Sequence, residues 1–143
     1  GRDARPFRIL KFRSMRAEMS DHNASQLTQK NDPRITPIGA FIRKTSIDEL
    51  PQLFNVLKGD LSLVGPRPPL PYEAESYRSW HFRRVLEVKP GITGLWQVEG
   101  RSRVSFDEMV RLDLRYTRRC SLLLDLSILF RTVKVVLRCE GAK

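Results

Sequence analysis

Residues 32–67, DPRITPIGAFIRKTSIDELPQLFNVLKGDLSLVGPR, constrain the fold of this chain more than any other stretch. Thr36-Pro37 reads as an N-cap followed by proline at the first helical position. Ile38, Phe41 and Ile42 then supply one apolar face for a short helix. Ser46 and Glu49 stand at capping-box spacing. Ile47, Leu50, Leu53, Phe54 and Leu57 form the apolar stripe of a second helix. Pro51 either kinks that helix or delays its start, because it has no N–H to give. Lys58-Gly59-Asp60 ends it, and residues 61–64 read as a short apolar strand leading into Gly65-Pro66-Arg67-Pro68. A chain punctuated this closely builds short elements.

The rest of the sequence continues the pattern. Residues 6–14 (PFRILKFRS) read as a strand that is apolar on both sides and buried, which leaves Lys11 needing a partner. Residues 19–32 are polar and aperiodic, a loop able to close over a ligand. Pro68, Pro69 and Pro71 precede a helix over 72–87, Pro90-Gly91 forces a turn, and 92–98 (ITGLWQV) reads as a strand. Ser105 and Glu108 repeat the capping-box spacing and open a helix to about 119. Its apolar face of Phe106, Met109, Val110 and Tyr116 includes Asp113, which reads as a buried partner for an arginine. The last helix, 122–138, has a basic edge of Ser127, Arg131, Lys134 and Arg138 beside a wide apolar face, suited to a core or to a bilayer surface. The expected fold is one compact α/β (α+β) domain over residues 1–143, with short strands and several amphipathic helices.

Charge narrows the function. The chain has 26 Lys+Arg against 16 Asp+Glu, a net +10, so its partner is anionic: nucleic acid, an anionic membrane face or a phosphorylated substrate. Arginine supplies 19 of the 26 cations, and its planar fork suits bidentate phosphate binding. Cys120 and Cys139 have no metal-site spacing and fit a reducing compartment. No stretch reaches the ~18 apolar residues of a membrane span. The chain lacks an initiator Met, and its first strand signal lies close to residue 1. The expectation is a fragment whose upstream part has been removed.

Against this cationic background the adjacent carboxylates Asp48 and Glu49 invite a chemical role. They could simply cap a helix and complement its dipole. Alternatively, a helix end and Arg43 would lower the Asp48 pKa and draw in a phosphate. Neighbours on a helix diverge by about a hundred degrees, so one could attack phosphorus while the other holds Mg²⁺. Arg67, held between prolines, is either a solvated turn residue or a preorganised phosphate clamp. Lys11 is either a strand-edge lysine or a member of the same site.

The motifs KFRSM (11–15), DPRITPIGAFIRKTSIDELPQL (32–53), SLVGPRP (62–68), VKPGITGLWQVEGRS (88–102), DLRY (113–116) and SLLLDLSILFRT (121–132) fall in order. Together they closely resemble the bacterial sugar transferases, the monotopic phosphoglycosyl transferases that prime glycan assembly. The resemblance covers nearly the whole chain. It implies transfer of a sugar 1-phosphate from a UDP-sugar to polyprenyl (undecaprenyl) phosphate, with Mg²⁺ as cofactor and release of UMP, for exopolysaccharide synthesis. It implies Asp48 as nucleophile through an aspartyl–phosphosugar intermediate, Glu49 as Mg²⁺ ligand, and Lys11, Arg43 and Arg67 as phosphate-binding residues. It also implies the cytoplasmic face of the bacterial inner membrane, an anionic membrane surface as partner, no nucleic-acid partner, and an upstream re-entrant membrane helix. The GLWQV–GRS form resembles members that transfer a hexose 1-phosphate such as glucose or galactose. Two rivals explain the charge differently: a nucleic-acid-binding module, which carries no recognisable motif and leaves the acidic pair idle, and a non-catalytic membrane-surface protein.

Overall fold

A computed structural model describes residues 5–19, 32–75, 77–100 and 104–137 of the chain. The loop expected over 19–32, together with Arg138 and Cys139, falls wholly or mostly outside these residues. Seven helices and two short strands follow one another among the described residues: α1 (Pro37–Lys44), α2 (Gln52–Lys58), β1 (Ser62–Val64), α3 (Pro71–Glu75), α4 (Ser79–Leu86), β2 (Gly91–Thr93), α5 (Leu95–Glu99), α6 (Phe106–Arg119) and α7 (Leu122–Leu137). The expected α/β class is borne out.

The strands pair in parallel, Ser62 opposite Gly91 and Val64 opposite Thr93, with α3 and α4 in the crossover. Close backbone approach explains the glycines here. A Cβ on Gly91 would lie 2.1 Å from the Gly65 nitrogen, and one on Gly65 would lie 2.5 Å from the Lys89 carbonyl oxygen. The turn after β1 is thereby pressed against the start of β2. The core gathers beneath this sheet: Val64, Leu95, Tyr116 and Ile128 bury together, one each from β1, α5, α6 and α7. The Tyr116 hydroxyl donates to Asp125 Oδ1 at 2.8 Å, with Val64 O at 3.3 Å as a second, longer acceptor, so the core tyrosine ties β1 to α7.

Several local signals hold. Thr36 Oγ1 accepts from Gly39 N at 2.9 Å with Pro37 at the first helical position. Ser105 and Glu108 form a reciprocal capping box at the start of α6. Gly59, at φ +90°, ends α2. Met109, Val110 and Tyr116 are buried on the inner face of α6, and Asp113 with them.

Other expectations are overturned. Residues 6–14 form no strand; the segment is extended and mostly exposed, and makes one isolated antiparallel bridge just beyond it, Met15 to Ile35. Part of its backbone is satisfied by a side chain rather than a ladder: Asn55 accepts from Leu10 N at 3.0 Å and donates to Arg8 O at 2.8 Å. Residues 72–87 divide into α3 and α4, and 92–98 divide into β2 and α5. In α1 and α2 most of the apolar residues lie on the outer face. Ile38, Phe41, Leu50, Leu53, Phe54 and Leu57 are exposed, whereas Gln52 and Asn55 are buried. The apolar stripe of this stretch therefore faces largely outward, with Ile42 and Ile47 half-buried.

Candidate active site

Arg43 lies in the last turn of α1, which closes at Thr45. Ser46 then enters the left-handed region at φ +59° and reverses the chain. The capping box expected from Ser46 and Glu49 does not form, because in that conformation the serine side chain makes no cap hydrogen bond. Instead Ile47–Glu49 is a single 3-10 turn, closed by Glu49 N to Ser46 O at 3.2 Å and Leu50 N to Ile47 O at 3.1 Å. Pro51 explains why the turn goes no further as an α-helix: it lacks the N–H that Ile47 O would accept next. The later start of α2, at Gln52, is one of the two outcomes expected of that proline.

This turn carries Asp48 and Glu49. The extended segment crosses it, with Phe12 N donating to Asp48 O at 2.9 Å. Bonds to Leu10 and Phe12 thus pin Lys11 from both sides. Lys11 Nζ reaches Glu49 Oε1 at 2.7 Å. Both side chains are substantially exposed, so this ion pair contributes about 0–1 kcal/mol and exchanges readily for a bound anion.

Asp48 is only 8% exposed. Burial pushes its carboxyl above the ordinary range and Glu49 pushes the same way, while Lys11, Arg43 and its own backbone N–H pull it back. The expected lowering by a helix end and Arg43 is therefore reversed. A three-residue turn has little dipole, and desolvation outweighs both cations. The outcome is a poorly hydrated carboxylate whose charge depends on its cationic neighbours.

Arg67 is held in a second cluster. Its guanidinium donates to Glu73 at 3.0 and 3.3 Å, and Glu73 also accepts from Leu70 N at 2.9 Å. Beneath it, Arg84 and Asp113 form a fully buried ion pair at 2.7 Å, and Arg84 also donates to the Tyr77 hydroxyl. Burial pushes Asp113 up to about 7; Arg84 opposes this most, and the Arg67 backbone and guanidinium help. Asp113 as a buried arginine partner is borne out. The structure thus brings Lys11, Arg43, Asp48 and Glu49 together, while Arg67 pairs with Glu73 on the β1–α3 turn. Asn55 and Glu73, which position Lys11 and Arg67, escaped sequence reasoning; a polar residue inside the apolar pattern of α2 was the one available signal for Asn55.

Beside Glu49 opens a largely apolar cavity of about 520 Å³, bounded by Leu50, Leu53, Trp96, Val135 and Val136 among others. No group of three or more His, Cys, Asp or Glu side chains stands ready for a metal among the described residues. Mg²⁺ commonly takes only one or two carboxylates and completes its shell with water and substrate phosphate. The adjacent Asp48 and Glu49, with one Glu49 oxygen turned to Lys11, fit an ion of that kind.

The profile of the family described as bacterial sugar transferase matches residues 1–139. The chain belongs to the bacterial sugar transferase family. It is 53% identical over 156 residues to the galactosyl transferase CpsE of Streptococcus agalactiae serotype III (strain NEM316), covering 100% of this chain and 34% of that protein. It is 48% identical over 160 residues to the UDP-galactose-lipid carrier transferase of Erwinia amylovora, covering 99% and 32%. Against the undecaprenyl-phosphate galactose phosphotransferase of Salmonella typhimurium (strain LT2) it is 59% identical over 113 residues, covering 79% and 24%. The chain spans about a third of the length of the first two relatives and about a quarter of the third.

Proposed function

We propose that this domain transfers a hexose 1-phosphate from a UDP-sugar to polyprenyl phosphate, the priming step of exopolysaccharide or related glycan assembly. The observation that carries the reading is Asp48: a buried carboxylate with Lys11, Arg43 and Glu49 around it. The relatives' names, which pair galactose or glucose phosphotransferase with undecaprenyl phosphate, support the substrate class.

In this mechanism an Asp48 oxygen attacks the phosphorus next to the sugar. The bond from that phosphorus to the bridging oxygen breaks, and UMP departs with the electron pair. The acceptor phosphate then attacks the same phosphorus, releasing the Asp48 carboxylate and forming a polyprenyl diphosphate sugar. No proton need move at the nucleophile. Desolvation makes Asp48 reactive, and Lys11 and Arg43 offset the repulsion between a carboxylate and a diphosphate. Exchange of Lys11 from Glu49 to substrate phosphate costs little and leaves Glu49 to Mg²⁺. Mg²⁺ bound by Glu49 would neutralise diphosphate charge as UMP leaves. Arg67 would hold the donor or acceptor phosphate once released from Glu73. The exposed apolar faces of α1, α2 and α7 and the apolar cavity beside Glu49 suit a lipid-linked acceptor at the cytoplasmic face of the inner membrane.

The test is nucleotide release before any acceptor is present. The protein in detergent, given UDP-galactose or UDP-glucose and Mg²⁺, should release UMP and gain a hexose-phosphate increment on intact mass. UDP as the nucleotide product would overturn the mechanism.

A further inference from the structure

The basic edge expected on α7 is partly engaged within the fold. Arg131 pairs with Glu99 at 3.3 Å, and Lys134 sits 4.4 Å from the Phe130 ring centroid. Exposed cations gather on α6 instead. Arg111, Arg115, Arg118 and Arg119 recur at i, i+4, i+7 and i+8, an arc of about 100° on the helix. With Trp80 and Leu114 they line a hollow of about 550 Å³ that has no acidic lining residue. Arg115 makes a long pair with Glu99 at 3.7 Å; Arg118 and Arg119 have no carboxylate within salt-bridge reach among the described residues. A helix C-terminus favours cations in its last turn, which suits Arg118 and Arg119. It does not account for Arg111 two turns earlier, nor for the indole beside the arginines.

The neighbouring helix supplies the second observation. Three residues beyond Arg119, α7 opens with Leu122 and Leu123, 75% and 81% exposed. Leu126, Phe130, Val133 and Leu137 continue the exposure. At 100° per residue these six side chains also fall within one arc of about 100°, opposite buried Ile128. Along the chain, a cationic hollow with a tryptophan is thus followed within three residues by a stripe of exposed apolar side chains. Forked guanidinium groups match phosphate oxygens, indole favours the membrane–water boundary, and the stripe favours acyl chains.

We propose that the Arg111/Arg115/Arg118/Arg119 hollow binds the phosphate of an anionic bilayer lipid, with the exposed face of α7 lying in the adjoining acyl boundary. This site shares no residue with the Asp48 cluster. It is tested by vesicle binding, whereas the transfer reading is tested by UMP release in detergent, so either can fail alone.

The experiment is co-sedimentation with vesicles of phosphatidylcholine, alone or mixed with phosphatidylglycerol. Each basic residue at an anionic surface is worth about 1 kcal/mol, about fivefold. Arg118→Gln with Arg119→Gln should lower affinity for the mixed vesicles roughly 25-fold and leave the weak binding to phosphatidylcholine alone unchanged. Lys58→Gln with Arg83→Gln removes the same charge outside the hollow and should cost far less. Equal losses for the two double variants would reduce the effect to net charge and overturn the site, as would unchanged affinity of the first. Glycerol phosphate binding to these arginines as tightly as mixed vesicles do would identify a free-phosphate site and overturn the headgroup assignment. If the double variant loses helix by circular dichroism, Arg111→Gln provides the same test with an expected fivefold loss.

Discussion

Replacing Arg84 with methionine probes how the turn that carries Arg67 is supported. Methionine retains much of the stem volume and removes the guanidinium. Arg84 is fully buried, donates to Asp113 at 2.7 Å and to Tyr77, and lies 5.3 Å and 5.8 Å from the Tyr77 and Phe106 ring centroids. Stripping one partner from a buried pair costs about 3–5 kcal/mol. The lower end is expected at neutral pH, because Asp113 has an escape by protonation. Its carboxyl, ordinarily near 3.8, is already pushed up to about 7 by burial, with Arg84 the main opposing influence. Without Arg84 it rises further. Between the ordinary value and about 7 the unfolded chain is ionised while the folded chain holds its proton, so this group lowers stability as pH rises through that window. Below about 7 both folded proteins are protonated and the cost of the substitution is flat. Above it the wild type ionises and gains from Arg84, whereas the variant must stay protonated. The cost should therefore grow by about 1.4 kcal/mol per pH unit until the variant's own pKa is reached. Urea denaturation at about pH 6 and about pH 8, followed by circular dichroism, measures this. A cost below about 1 kcal/mol, or one that ignores pH, would refute the reasoning. Should the variant not fold, Tyr77→Phe removes one hydrogen bond of the same network at a cost of about 1 kcal/mol.

Asp48→Asn should abolish turnover yet leave the fold intact; since burial raises the Asp48 pKa, the neutral side chain should not lower stability at neutral pH, and a falling melting temperature would contradict the desolvation argument. Glu49→Gln should raise the Mg²⁺ concentration needed for UMP release, and an unchanged Mg²⁺ titration would remove Glu49 from the metal site. Arg43→Lys and Arg67→Lys keep charge and lose the fork, so each should cost about 1.5–3 kcal/mol in kcat/KM; equal efficiency with lysine at both positions would show that charge alone matters there. Asn55→Ala frees the Arg8 and Leu10 backbone that places Lys11 and should raise KM for the UDP-sugar more than it lowers kcat; an unchanged KM would sever that link.

Short-range chemistry was legible from the sequence. The Thr36-Pro37 cap, the Ser105–Glu108 box, the Gly59 stop and the extents of α6 and α7 each rest on residues three or four apart, and the chain alone settles such contacts. The family motifs were legible for the same reason, as was Asp113's need for an arginine, since a carboxylate on an apolar face must find a cation. The tertiary structure decided everything that depends on what covers a surface. Periodicity shows that α1 and α2 have two faces but not which is inside, and here Gln52 and Asn55 turn inward while Phe41, Phe54 and Leu57 do not. Residues 6–14 alternate like a strand, yet among the described residues no strand lies beside them; a side chain forty-five positions along the sequence takes part of the hydrogen bonding a ladder would have made. Asp48 moves from a capping carboxylate with a lowered pKa to a buried one with a raised pKa, because desolvation is a property of the whole packed neighbourhood and outweighs the two cations that local reading could see.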